Sequence, residues 1–308
     1  MKDDKFNIKY TLEEHLKSLA NEDKDYELLC SIWDLNKRNL TQGLNIVSSS
    51  FPHYSIHDVN HSMTIIDNIQ CFLGEDRIKR LSATDTFLIL MAGLTHDIGM
   101  VLMNSIIEDE WQQSDFKDIL EKFSNSDDNV IADSAKLLIK IHQQKAKEDF
   151  KDYVWALKVK NAVVILTAEI FRSKHAKQSA NYLNSNDTFK QLANNFHAEQ
   201  LPSRFMDLLA NVASLHGQDF EAVMNQLYQE ANGYKGDYIH PRFIAYMIRL
   251  GDLLDFDNNR FNPYSKIGLK EIPETSILHE QKHASVKHML ISPNSIEAEL
   301  DCSNEEVY

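Results

Sequence analysis

Residues 87–94, Phe87-Leu88-Ile89-Leu90-Met91-Ala92-Gly93-Leu94, are apolar without interruption, and Ser82-Ala83-Thr84-Asp85 supplies a helix start directly before them. A helix that is apolar on every side has no face to offer water, so other elements must surround it. This run sets one helix at the centre of a core and requires the rest of the chain to wrap it. The scarcity of breakers agrees, since 9 Gly and 6 Pro in 308 residues leave room for many helices. A chain of this length buries most of the surface its unfolded form exposes, so the core needs no staple.

The buried run ends on Leu94-Thr95-His96-Asp97-Ile98-Gly99-Met100, with Gly99 expected to let the chain turn sharply. A charged side chain at the end of a buried helix is costly unless it is paired or metal-bound. Two segments offer partners. Upstream, Tyr54-Ser55-Ile56-His57-Asp58-Val59-Asn60-His61-Ser62 leads into a helix expected over residues 55–72, on which His57 and His61 share a face four residues apart. Downstream, Pro241 opens a helix reaching about residue 254, with Arg249 and Asp252 on one face.

His61, His96, Asp97 and Asp252 then make a mixed nitrogen and oxygen set that leaves positions for water and a substrate oxygen. Such donors suit Mn, Fe, Zn or Ni, and Mg less naturally. The catalytic candidates are Asp97 and His57, the latter placed to give or take a proton, and Asp58 is expected to accept from one of the imidazoles. The bland alternative for His96-Asp97 alone is a structural hydrogen-bonded pair.

The remaining chain reads as mainly α. Thr11-Leu12-Glu13-Glu14 has the form of a capping box, and helices are expected over residues 26–35 and 43–47. Short acidic helices follow from 104 to 123, then a loop at 124–129. Helices at about 130–147, 152–172, 175–184, 187–195, 203–216 and 218–230 form a helical insertion over about 125–235. The helical body runs from 1 to 263, and 264–308 is a small α/β extension whose segments 289–292 and 295–300 pair around Pro293-Asn294 as a β-hairpin. A bare hairpin is marginal, so it either packs on the helical body or belongs to a chain that continues.

A net charge of −14 argues against wrapping nucleic acid, while a local basic pocket still suits a nucleotide-like or other phosphorylated small molecule. Arg172, Lys174 and His175 are candidate substrate contacts, against the alternative of a solvated helix end. His216 and Arg260 are further substrate-side candidates. Asp255 and Asp257 are expected to orient Arg249 or Arg260, and His279, His283 and His288 to serve packing or the surface. His142 and His240 rank lower. Cys30, Cys71 and Cys302 match neither a disulfide framework nor a thiolate zinc site and read as reduced thiols of a cytoplasmic protein. No targeting core or membrane-length apolar stretch is present in the sequence.

His61-Ser62-Met63-Thr64-Ile65-Ile66, His96-Asp97-Ile98-Gly99 and Arg249-Leu250-Gly251-Asp252-Leu253-Leu254-Asp255 together resemble the HD superfamily of metal-dependent phosphohydrolases over roughly residues 52–261. The resemblance implies an HD-domain helical bundle that holds a divalent metal and hydrolyses a nucleotide-like phosphomonoester or phosphodiester. The pairing of His57 with His61 is similar to the cyclic-nucleotide phosphodiesterase branch, which implies His57 as proton donor to the leaving group. Adding Phe51-Pro52-His53-Tyr54, Phe171-Arg172-Ser173-Lys174-His175-Ala176 and Ala213-Ser214-Leu215-His216-Gly217, the pattern resembles a bacterial HD subgroup often fused to an Hsp90-like ATPase module. That implies such a domain or partner, and a homo-oligomer is also compatible. The competing function is a nucleotide-binding sensory or regulatory module controlling a partner or fused ATPase. No GYP tripeptide follows the His-Asp pair, which weakens a cyclic-di-GMP reading, and no ppGpp-synthetase region is present.

Overall fold

The computed structural model describes residues 10–55, 57–113, 115–143, 153–185, 201–256, 261 and 271–302. The chain begins with α1 (Leu12–Glu22), α2 (Glu27–Leu44), α3 (Val47–Ser50), α4 (Val59–Ile78) and α5 (Ala83–Thr95). It continues through α6 (Asn104–Trp111), α7 (Phe116–Ser124), α8 (Asn129–Gln143) and α9 (Tyr153–Asn184). After these come α10 (Ser203–Leu215), α11 (Phe220–Gln226), α12 (Pro241–Leu253) and α13 (Glu274–Ser285). The fold is mainly α, as expected. Two small antiparallel pairs complete the described elements: β1 (Ala231–Asn232) with β2 (Tyr238–Ile239), and β3 (Val286–Ile291) with β4 (Ile296–Leu300).

Every residue of α5 is buried, and α1, α2, α4, α10 and α12 all pack on it. That enclosure is what the uninterrupted apolar run requires. Leu88, Ile89 and Leu90 are wholly buried, each stabilising the fold by about 1.5–3 kcal/mol. Its polar residues are satisfied locally: Ser82 Oγ accepts from the Asp85 amide at 2.9 Å, and Thr95 Oγ1 donates to Met91 O at 2.8 Å. Asp237 accepts from Thr84 N and Oγ1 at 2.9 and 3.0 Å, tying the β1–β2 excursion to the start of α5. A smaller apolar cluster joins α7, α8 and α9 through Leu120, Ile131, Leu138, Ile165 and Leu166.

Several boundaries differ from the sequence expectation. Thr11 does cap α1 through a capping box, but α2 runs on to Leu44 because Leu40 and Leu44 continue its buried stripe. The helices expected over 152–172 and 175–184 are one, α9; with neither Gly nor Pro inside, Ser173-Lys174-His175 has no means to break it. The element expected at 218–230 is shorter, and that expected at 187–195 lies outside the described residues. The C-terminal hairpin packs on the body. Its turn meets α4 at Gly74, whose φ of 70° kinks the helix and whose missing side chain makes room for the Pro293 ring. Arg77 donates to Pro293 O at 3.2 Å beside it.

No single helix among the described residues is long and apolar enough to cross a membrane. The three cysteines are free.

Candidate metal centre

Asp97 sits at the focus of five imidazoles delivered by separate segments. His96 and Asp97 end the central helix, where His96 N still bonds to Ala92 O at 2.9 Å. A 3-10 turn over Ile98–Met100 follows. Gly99 is not in the left-handed region, so its role differs from the expected sharp turn. It lies against the α9 backbone at His175, Gln178 and Ser179, where any Cβ would clash, and its amide donates to Ser179 Oγ at 2.8 Å. This close approach brings His175 to Asp97.

On one side of Asp97, His96 Nε2 and His61 Nε2 lie 3.3 and 3.4 Å from Oδ2, and His61 Nε2 lies 3.5 Å from Asp252 Oδ1. His57 Nε2 is 3.7 Å from the same Oδ2. On the other side, His175 Nε2 and His216 Nε2 lie 3.4 and 3.5 Å from Oδ1 and 3.1 Å from each other. The expected set His61, His96, Asp97 and Asp252 therefore converges. His175 and His216, expected on the substrate side, also stand among the donors.

Each ring is turned by a bond at its far nitrogen. Nδ1 faces Gly93 O in His96 (3.0 Å), Ser55 O in His57 (2.7 Å), Arg172 O in His175 (2.6 Å) and Ala213 O in His216 (2.6 Å). In His61 it faces Asp255 Oδ2 at 2.6 Å. Carbonyl and ionised carboxylate oxygens only accept, so Nδ1 holds the hydrogen and a neutral ring presents its Nε2 lone pair inward. That is the tautomer a metal ligand needs.

Residues 57, 58 and 255 depart from the sequence expectation. His57 precedes α4 instead of sharing a helical face with His61, because Asp58 caps the helix, accepting from Asn60 N and His61 N at 2.8 and 3.3 Å. A carboxylate engaged with amides of the first turn does not orient an imidazole. Asp255 does so instead, where an arginine partner was expected. Asp257 and the substrate candidate Arg260 lie outside the described residues.

The electrostatics fit a cation. Burial pushes the His96 imidazole down, but the Asp97 carboxylate beside it more than offsets this and lifts it to about 9, so without an ion Nε2 carries a proton that a bound cation would replace. Burial pushes Asp97 up, and the neighbouring His96 and His61 hold it well below the usual carboxylate range. Burial lowers His216, with Asp97 opposing. His61 Nε2, His96 Nε2 and Asp97 Oδ1 are buried without a hydrogen-bond partner. Unsatisfied buried polar atoms are expensive, and spacings of 3.3–3.5 Å exceed good hydrogen bonds. They match the roughly 3–3.5 Å between neighbouring donors about 2.1 Å from one ion. His57 with His61 and Asp97, His61 with His96 and Asp252, and Asp97 with His175 and His216 each place their donor atoms within 4.8 Å of one another. These mostly buried groups could hold a metal, with His61 shared by the first two triads and Asp97 by the first and third.

The HD-CE family model matches residues 51–307. The chain belongs to the HD-CE family. Its matched span contains every donor above, so the His/Asp centre is that of an HD-type domain. Neither a protein of curated function nor a solved structure matches the chain.

A cavity of about 380 Å³ opens over the donors. Arg172 reaches it, its guanidinium 4.9 Å from the centre of the Tyr54 ring, and Tyr54 donates through its hydroxyl to Glu169. Lys174 points elsewhere, paired with Glu110. His142 is exposed and His240 is bound to Asp85 at 2.7 Å, both away from the cavity, and His288 is exposed on β3. His279 and His283, expected on the surface or in packing, face the cavity from α13. Their i, i+4 spacing was the available signal.

Proposed function

We propose that this HD-CE chain is a metal-dependent phosphohydrolase acting on a nucleotide-like phosphomonoester or phosphodiester. The observation that carries the reading is the convergence of inward Nε2 atoms on Asp97, each ring anchored at Nδ1, beside a ligand-sized cavity that contains Arg172. A divalent ion supplies, when bound, Lewis-acid activation of water and of the phosphoryl group. His61, His96, Asp97 and Asp252 would hold it, with His175 and His216 as donors to a second. Asp255 and the backbone carbonyls keep the imidazoles in the ligating tautomer. His57, which also lies within ligating reach beside His61 and Asp97, lines the cavity and offers Nε2 there for proton transfer to a leaving oxygen. Arg172 supplies a fork for phosphoryl oxygens.

Asp97, Asp252 and Asp255 line the cavity against Arg172, so phosphate binding is expected to follow metal loading. The test is release of phosphate or nucleotide product from a panel of nucleoside mono- and polyphosphates and cyclic nucleotides, with Mn, Fe, Zn, Ni and Mg each supplied. Turnover that requires a metal and is lost in Asp97→Ala supports the hydrolase. Tight metal-dependent binding without turnover on any member would move the function to a nucleotide-binding regulatory module.

A further inference from the structure

One wall of the cavity is aromatic and is formed by Phe256, close after Asp252 in sequence, together with His279 and His283 from α13. His279 and His283 lie one turn apart on α13 with ring centroids 4.8 Å from each other. Phe256, just beyond α12, packs 5.6 Å from His283, and Phe261 backs the pair at 5.7 Å from His279 and 5.3 Å from His283. Phe256, His279 and His283 all line the cavity beside Asp252. Phe256 keeps 38 % of its surface exposed, and Leu253 beside it keeps 60 %. Large apolar side chains at a cavity edge gain by being covered.

Arg172 with Tyr54, the donor floor around Asp97, and these aromatic rings give one cavity three chemistries: an anion contact, a metal-ligating centre and flat π surfaces. A phosphate alone uses the first two and leaves the third wet. A ligand that satisfies all three carries a phosphate joined to a planar ring.

We propose that Phe256, His279 and His283 form a stacking wall for the base of a nucleoside phosphate and so select nucleotides over other phosphoesters. This inference rests on the reading of the centre as a phosphoester site. Base–aromatic stacking has the magnitude to select, since removing one aromatic partner commonly weakens binding about tenfold or more. Phe256 is the residue to change, because it is the most exposed of the three and its loss disturbs packing least.

The experiment is calorimetric titration of the Mn-loaded protein with hydrolysis-resistant methylenephosphonate analogues of adenosine 5′-monophosphate and of ribose 5-phosphate. The expected result is that the adenosine analogue binds about tenfold tighter. Phe256→Leu, which keeps apolar bulk without a ring, should erase most of that advantage and leave the ribose analogue unchanged, whereas Phe256→Tyr should retain it. Equal affinity for the two analogues in the wild type, or an equal loss of both in Phe256→Leu, overturns the stacking wall while leaving a phosphoester site in place. Failure of both analogues and of inorganic phosphate to bind overturns the wall together with the phosphoester reading.

Discussion

The Nδ1–H of His61 donates to Asp255 Oδ2 across 2.6 Å, joining α4 to a residue just beyond the end of α12. Both side chains are buried. The contact fixes which His61 nitrogen faces Asp97, so Asp255 would act through the imidazole and not as a donor to an ion. Asp255→Ala is expected to lower metal affinity by about 10–100-fold while leaving helicity intact. Metal titration with circular dichroism checks this; an unchanged affinity would remove Asp255 from the centre.

His57 lies before the helix that carries His61, with Nε2 3.7 Å from Asp97. His57→Ala should therefore retain most of the metal and lose about 10²–10⁴-fold in turnover. Parallel metal analysis and initial rates separate the two effects. An equal loss of metal and rate would make His57 a ligand instead of a proton-transfer group.

Gly99 has His175 O and Ser179 N where a side chain would begin. Gly99→Ala must push α9 away, so it is expected to destabilise the fold by about 1–3 kcal/mol in urea unfolding and to separate His175 from Asp97. Gly217→Ala is the reference, since nothing lies within 4 Å of the added carbon, and should stay within about 0.5 kcal/mol. Similar midpoints for the two variants would contradict the packing role of Gly99.

The donor types and the helices that carry them were legible in the sequence. His96-Asp97 ends a run too apolar to be anything but central, and His61 and Asp252 sit on helices marked by apolar periodicity and by Pro241. Their support was not legible. The His61–Asp255 bond spans 194 residues, and nothing local distinguishes Asp255 from an exposed acid. Asp58 was legible in principle, since an Asp three residues before His61 is a helix cap pattern, but two nearby histidines offered a competing role. The position of His175 depends on Gly99 meeting α9, a contact made by the absence of a side chain. The histidines of α13 gained meaning only when that helix closed the cavity.

His53 provides a pH test away from the donors. Burial, followed by the charge of Arg172, lowers its imidazole from 6.5 to about 4. The folded state thus binds this proton less readily than the unfolded state. Its contribution is fully present above pH 6.5 and is lost as pH falls toward 4, by about 3 kcal/mol in all. Asp67 acts oppositely: burial raises it from 3.8 to about 6, so its contribution is present at low pH and lost as pH rises toward and through 6. The informative quantity is therefore the difference between wild type and His53→Gln in urea unfolding from pH 7 to pH 4. The wild-type stability should fall more steeply; parallel pH profiles would contradict a buried neutral His53.

The central claim is that His61, His96, Asp97 and Asp252 hold a divalent ion, and elemental analysis of gently purified protein tests it most directly. The wild type is expected to carry at least one divalent metal per chain, and His96→Ala to lose most of it at unchanged helicity. Metal content that is the same in His96→Ala as in the wild type would contradict the claim.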